Sequence, residues 1–247
     1  MKTKVKTDNR KAMPKFLITV LVAGFVGGIF GVMAGFAGHT DLPAAVVAAV
    51  YWILEAITPW AILVESVVLL GSGAVLYHQG KVMFEHWDGE DEEIIEAAEE
   101  KVSWTLVMTS LTLVLSFFFF CVNCVVAENG FVIISFILSL VFIMVLQQKS
   151  VDLTKRINPE KQGSVYDMKF HKKWIASCDE NEQRLIGKAA MKSFIVTTNV
   201  CFALEMVLVF LTFVLDIGIL PIFIVSLILG VSQLTYSITA IRLERHR

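Results

Sequence analysis

Apolar residues in this chain fall in long blocks and do not alternate with polar ones. Six blocks can be read, at Phe16–Gly38, Trp60–Tyr77, Val102–Val126, Phe131–Leu146, Phe194–Leu215 and Pro221–Ile241. A membrane-spanning helix needs roughly 20 mainly apolar residues, within a range of about 17–25. The blocks therefore predict an all-α polytopic membrane protein with six transmembrane helices in one membrane domain, residues 1–247.

The segment before the second block is also apolar, over Ala44–Ile57. Proline suits the first turn of a helix and disfavours its interior. Pro59 therefore predicts the start of the second span, with Leu42–Ile57 as a separate amphipathic helix on the outer surface. One long kinked helix through Pro59 is the alternative, and the sequence leaves it open.

Composition agrees with this class, because 56% of the 247 residues are hydrophobic, against about 45–50% in soluble domains. The first block could in principle be a cleaved signal peptide. Its apolar run exceeds the roughly 7–15 residues of a signal core, so we expect a retained span.

Lysine and arginine residues fix the expected orientation. All 21 lie before the first block, after the last, or in residues 78–101 and 149–192. Cytoplasmic loops carry the excess of positive residues, so these two segments and both termini are expected on the cytoplasmic side of the cell membrane.

The two cytoplasmic segments share a pattern, D-x-x-[DE]-x-x-[IL]-I-x-x-A-x-x-K, offset by 91 residues. It predicts an internal repeat of residues 88–156 and 179–247, each a stalk helix plus a transmembrane hairpin. Asp88 and Asp179 have the character of helix N-caps, with Asp91 and Glu182 completing capping boxes. A helix from Asp88 to Val126 would be about 58 Å long, and its excess over the bilayer would form a cytoplasmic stalk.

Two carboxyl groups, Glu65 and Glu205, lie at similar depth inside the spans. Intramembrane ionisable groups are costly and are candidates for function. We expect both to face one polar cavity that holds a proton or a cation, with neutral neighbours Thr198, Thr212 and Gln233. The alternative is ordinary helix packing, for which hydroxylated and small residues are typical. A stripe of such residues on the third span consists of Thr105, Thr109, Thr112 and Ser116.

Gly27, Gly31 and Gly35 form a GxxxGxxxG face on the first span. Such faces allow close helix approach, either within one chain or between two copies in a homo-oligomer.

Charged residues of the cytoplasmic segments form a candidate partner surface, consisting of Asp88, Glu90, Asp91, Glu92, Glu93, Lys169, Lys172 and Lys173. A solvated helix end is the simpler interpretation of the acidic residues, and their spacing does not match an EF-hand loop. No P-loop, H-E-x-x-H or G-x-S-x-G motif occurs. We therefore expect no catalytic residue, no cofactor, no bound metal and no direct nucleic-acid binding; the bilayer and a cytoplasmic protein are the expected partners.

Three motifs carry a family resemblance: "WDGEDEE" before a span, "SFFFF" within it, and "YDMKFHKKWIASCDENE" before the fifth span. Together they resemble a bacterial membrane family known as domain of unknown function 3169. The resemblance implies a multi-span membrane protein, often encoded beside a small helix-turn-helix regulator. The family has no established chemistry, so the resemblance transfers no catalytic residue.

Two functional hypotheses follow. The first is a non-enzymatic interaction or regulatory protein that presents its stalks to a cytoplasmic partner. The alternative is a transport component, a small permease or the membrane subunit of a transporter, that uses the carboxylate pair.

Overall fold

The structure is a computed structural model that describes residues 42–126 and 129–245, with scattered helical positions between residues 18 and 32. These ranges contain helices and no strand. The helices are α1 (Leu42–Glu85), α2 (Glu92–Val126), α3 (Gly130–Ile157), α4 (Phe170–Ala176), α5 (Glu180–Leu215) and α6 (Leu220–Arg245).

Five of these helices, all except the short α4, are long and apolar enough to cross a membrane. This finding supports the membrane class for the described part of the chain. The span at Phe16–Gly38 lies outside the described residues except for those scattered positions, and Gly27, Gly31 and Gly35 lie wholly outside them.

The prediction of a separate outer helix at Leu42–Ile57 is wrong, because α1 runs without a break from Leu42 to Glu85 and contains Pro59 in its interior. An interior proline removes one backbone hydrogen bond, but in lipid a break would leave many more backbone groups unsatisfied. Packing supports the continuous helix here, since Thr58 and Ile62 on either side of the proline are buried.

The N-terminus of α2 also differs from the expectation. The helix starts at Glu92, and Asp91 is its cap, because the Glu93 amide donates to Asp91 Oδ1 over 3.0 Å. Asp88 lies earlier, in the turn, where it accepts from the Glu90 amide. From Glu92, α2 runs unbroken for 35 residues, about 52 Å.

The N-terminus of α5 agrees with the sequence. The Glu182 amide donates to Asp179 Oδ1 over 2.7 Å, and the Asp179 amide donates to Glu182 Oε2 over 3.0 Å. This reciprocal pair is a capping box. It starts a helix of 36 residues at Glu180.

The chain divides into two compact units, residues 49–188 and residues 1–48 with 189–247. In the first unit, the polar stripe of α2 points inward. Its four members are fully buried, while Val114, Phe117 and Phe118 are more than half exposed. Helices surrounded by lipid are expected to pack in this way, with small and hydroxylated residues inside and large apolar residues outside.

Two asparagines link the end of α2 to the start of α3. The Asn129 amide donates to Asn123 Oδ1 over 2.9 Å, and Asn129 Oδ1 caps α3 by accepting from the Phe131 amide over 2.9 Å. The buried Asn123 thereby fixes the start of α3 beside the end of α2.

In the second unit, α6 packs along the part of α5 that follows Lys188. Phe194 and Tyr236 stack with ring centroids 4.8 Å apart. The turn between the helices has positive φ at Asp216 (52°) and Gly218 (75°), and Thr212 donates to the Gly218 carbonyl over 3.2 Å.

Candidate functional site

Glu65 is the carboxyl group around which polar side chains gather in the first unit. Ser116 of α2 donates to Glu65 Oε1 over 2.5 Å. Ser116 also lies 3.1 Å from Ser139 of α3, and Ser66 of α1 donates to Ser139 over 3.0 Å. We call these four residues the Glu65 cluster. It joins three helices through one chain of hydrogen bonds.

The two carboxyl oxygens of Glu65 have different surroundings. Its Oε2 atom is buried and has no hydrogen-bond partner among the described residues. A buried polar atom without a partner costs about 1–3 kcal/mol, and more when the group is charged. No lysine, arginine or histidine occurs within the apolar blocks. A proton or a small cation would therefore stabilise this carboxyl group.

A groove adjoins the Glu65 cluster. It has a volume of about 410 Å³ and lies between α1 and α3. Of the described residues that line it, three are polar, Ser66, Ser135 and Ser139, and the others are apolar apart from Gly71. Hydroxyl groups of the cluster are thus presented at the wall of an apolar groove.

Glu205 has a serine partner of its own in the second unit. Ser226 of α6 donates to Glu205 Oε1 over 2.6 Å. Of the neighbours expected from sequence, Gln233 donates to Thr198 over 3.4 Å, two helical turns from the carboxyl group. Thr212 bonds the Leu208 and Gly218 carbonyls. The sharing of one cavity by Glu65 and Glu205 stays a prediction.

The two hairpins have similar polar contacts between their helices. Each has a glutamine–threonine contact and a second polar contact that involves a serine: Gln147–Thr109 with Ser139–Ser116 in one, and Gln233–Thr198 with Ser226–Glu205 in the other. On the first helix of each hairpin the two positions are seven residues apart. Along the first helices these contacts are offset by 89 residues, so Glu205 takes the place of Ser116, but along the second helices the offsets are 86 and 87 residues, and the sequence pattern has 91. The internal repeat itself stays a prediction.

The acidic part of the candidate partner surface is exposed. Asp88, Glu90, Asp91, Glu92 and Glu93 are exposed, and within the described ranges none of them forms an ion pair. They belong to Trp87–Glu93, which comprises the turn before α2 and the first two residues of that helix, and which we call the acidic turn.

Local hydrogen bonds fix the shape of the acidic turn. Trp87 Nε1 donates to the Asp91 carbonyl over 2.8 Å, and Gly89 has a φ of 93°, which favours glycine. Backbone amides of Glu90 and Asp91 lower the pKa of Asp88. The carboxylates are thus displayed on an ordered turn.

The basic part of the candidate surface behaves differently. Lys173 pairs with Asp167 over 2.5 Å and lowers the pKa of that carboxyl group, assisted by the Lys169 amide. Lys169 and Lys172 are exposed and form no ion pair in the described part of the chain. Within the described ranges, no ion pair therefore joins the acidic and basic parts of this surface.

Lys161 is a buried cation that was not predicted from the sequence. Lys161 is 4% exposed; its ammonium group pairs with Glu182 and lies 3.6 Å from Cys178 Sγ. Burial lowers the pKa of Lys161, but its bonds to Glu182 and Cys178 outweigh this effect and raise it. The bond from Lys161 lowers the pKa of Glu182. Nothing in the local sequence distinguishes Lys161 from its exposed neighbours, because its partners follow 17 and 21 residues later.

Ser66 and Ser139 were also not among the site residues predicted from the sequence. The sequence could have indicated both, because Ser66 adjoins Glu65 and Ser139 is a hydroxylated residue within an apolar span. Among the described residues, no three histidine, cysteine, aspartate or glutamate side chains gather as a metal site.

One family model matches the chain, over residues 6–238, and its description is "Protein of unknown function (DUF3169)". No curated protein and no solved structure gives a match.

Proposed function

The chain belongs to the DUF3169 family of proteins of unknown function, and from this premise we propose that it is a non-enzymatic interaction or regulatory protein of the cell membrane. Its termini and residues 78–101 and 149–192 would face the cytoplasm. The N-terminal parts of α2 and α5 would extend there as stalks. Its partner would be a cytoplasmic protein with a basic surface.

The exposed acidic turn is the observation that carries this proposal. Its five carboxylates have no ion-pair partner in the described ranges, and the turn is ordered by its own hydrogen bonds. A preorganised charged surface binds with a smaller entropic cost than a flexible one, and complementary charge accelerates association. The turn precedes Val102, where the apolar run begins, by about 15 Å of helix, which leaves room for a protein to approach.

Site-specific photo-crosslinking in native membranes tests the proposal. A photoreactive residue at Glu96, which is exposed one turn into α2, should form an adduct with a basic cytoplasmic protein. Glu90→Gln/Glu93→Gln should reduce the adduct severalfold, because both side chains are exposed and neither caps α2.

Glu160→Gln/Glu180→Gln is the matched control, with the same change of charge at exposed positions outside residues 87–93. It should leave the adduct unchanged. The absence of any protein adduct, or equal loss in the two double variants, would contradict the proposal.

A second candidate is the transport component, and the observation that favours it is the buried Glu65 Oε2 atom, which has no partner among the residues that the structure describes. A carboxyl group that accepts from Ser116 through Oε1, and whose Oε2 atom has no donor in the described part of the chain, is a suitable place for a proton or a cation. Proteoliposome flux of protons or sodium should then fall with Glu65→Gln and with Glu205→Gln. Flux equal to that of the unmodified protein would instead leave the Glu65 cluster with a role in helix packing.

A further inference from the structure

The segment that follows α3 turns back toward the apolar part of that helix. Ser164 Oγ and the Val165 amide both donate to Gln148 Oε1, over 3.0 and 2.9 Å. Gln148 lies two residues beyond Leu146, where the apolar run ends, whereas α3 continues to Ile157, about 14 Å further along. Residues 158–169, which we call the return loop, thus come back to the level at which α3 leaves the apolar region.

The base of the return loop is firmly held. Lys161 is buried in its ion pair with Glu182, and the Gln162 amide donates to Ser177 Oγ over 3.0 Å. Gly163 has a φ of 132°, and a Cβ atom there would lie 2.8 Å from the Phe170 ring. The loop therefore has a defined conformation, and its position beside Gln148 is part of the fold.

The tip of the return loop, with the first turns of α4, combines apolar and basic side chains. Met168 is fully exposed and Tyr166 is 61% exposed. Lys169 and Lys172 are exposed without an ion pair in the described part of the chain. The only acidic residue at the tip, Asp167, is neutralised by Lys173. We call Tyr166, Met168, Lys169 and Lys172 the loop tip.

We propose that the loop tip binds anionic lipid headgroups on the leaflet next to Gln148. Tyrosine prefers the headgroup level of a bilayer, a methionine can insert at its acyl boundary, and lysines extend to anionic phosphates. Each lysine near such a surface increases affinity about fivefold. These preferences coincide at the depth that the bonds to Gln148 fix.

The distribution of charge agrees with this assignment. The acidic turn lies about 15 Å of helix beyond the start of the apolar run of α2. No ion pair between the acidic turn and the loop tip occurs in the described ranges. Anionic lipid would repel the acidic turn and attract the loop tip. In this arrangement the opposite charges would be separated along the membrane normal, with the basic group nearer the bilayer.

Hydrogen exchange of the full chain in nanodiscs tests the charge requirement. Amides of residues 164–173 should become severalfold more protected when phosphatidylglycerol is added to phosphatidylcholine. Lys169→Gln/Lys172→Gln should abolish this gain. Arg184→Gln/Lys188→Gln, the same change of charge at exposed positions of α5, should preserve it. Protection that does not depend on phosphatidylglycerol, or that is lost equally in both double variants, would overturn the proposal.

Photo-crosslinking from position 168 in native membranes distinguishes a lipid from a protein at the same surface. The expected adduct has the mass of a phospholipid. An adduct to a protein would overturn the lipid assignment and identify the loop tip as a protein-docking site. Because the acidic turn is unaltered in these experiments, their outcome is independent of the partner proposed for it.

Discussion

Replacing Glu182 in its ion pair with Lys161 should destabilise the protein more than replacing Lys161. The Lys161 side chain is 4% exposed, whereas that of Glu182 is 39% exposed. Glu182→Gln keeps a side chain that can complete the capping box but leaves a buried ammonium without a counter-charge. Losing one partner of a fully buried pair costs about 3–5 kcal/mol, and exposed pairs contribute about 0–1 kcal/mol. The partial exposure of Glu182 therefore gives an expected cost of about 1–3 kcal/mol.

Lys161→Met is the reverse perturbation. It removes the buried charge and leaves an apolar chain of similar length, while Glu182 keeps access to water and its bond from the Asp179 amide. We expect a cost below about 1 kcal/mol. Glu180→Gln, at an exposed position of the same helical turn, is the control for loss of one negative charge and should stay within about 0.5 kcal/mol.

Hydrogen exchange in detergent micelles measures these costs locally. The informative amides are those of Lys161, Gln162 and Glu182, which donate to Asn158 O, Ser177 Oγ and Asp179 Oδ1. A cost of about 1–3 kcal/mol corresponds to roughly 5- to 150-fold faster exchange. Equal acceleration in Glu182→Gln and Lys161→Met, or a larger effect of Lys161→Met, would refute the claim that burial of the lysine dominates.

The same pair predicts a plateau of protection with pH. The pKa of Glu182 is lowered from 4.5, so its stabilising contribution is present above that value and is lost as the pH falls through the folded pKa. The pKa of Lys161 is raised from 10.5, so its contribution is present below that value and is lost as the pH rises through the folded pKa. Protection corrected for intrinsic exchange should therefore be constant between these limits in the unmodified protein. A mid-range transition at these amides would contradict the assignment.

Three further predictions concern helix capping and glycine geometry. They are measured in detergent, by local hydrogen exchange for the return loop and by overall stability for the other substitutions. Asp91→Ala should cost about 0.5–2 kcal/mol by removing the cap of α2, whereas Asp88→Ala should cost less; the reverse order would place the cap at Asp88. Gly163→Ala should destabilise the return loop by about 1–3 kcal/mol, because a Cβ atom at that positive φ meets a phenylalanine ring at 2.8 Å, and unchanged exchange there would contradict it. Gly80→Ala should cost about 1–3 kcal/mol, since its Cβ atom would lie 3.0 Å from a carbonyl oxygen of α2, while Gly73→Ala, whose nearest contacts are at 3.4 Å, should be tolerated; equal effects would argue against this difference in packing.

Hydrophobic blocks were sufficient to predict the helical membrane class, because a bilayer admits few structures other than a helix for a long apolar segment. The same local character predicted the capping box of Asp179 and Glu182, whose members are three residues apart. The predicted helix start at Pro59 was wrong, because the preference of proline for a first helical turn competes with the cost of unsatisfied backbone groups in lipid. The α2 cap was misplaced because Asp88 and Asp91 are both good capping residues, and the turn at Gly89 decides between them.

Side-chain partners far apart in the chain were decided only by tertiary structure. Glu65 was recognisable from sequence as a carboxyl group within a span, but its bond to Ser116 joins residues 51 positions apart. Lys161 looks like any loop lysine until Glu182 and Cys178 surround it. The return of the chain to Gln148 depends on bonds across 16 and 17 residues. Apolar periodicity and local capping report which helices form, because neighbouring residues determine both. Which polar side chains meet depends on how the helices pack, and several pairings satisfy the same apolar pattern equally well.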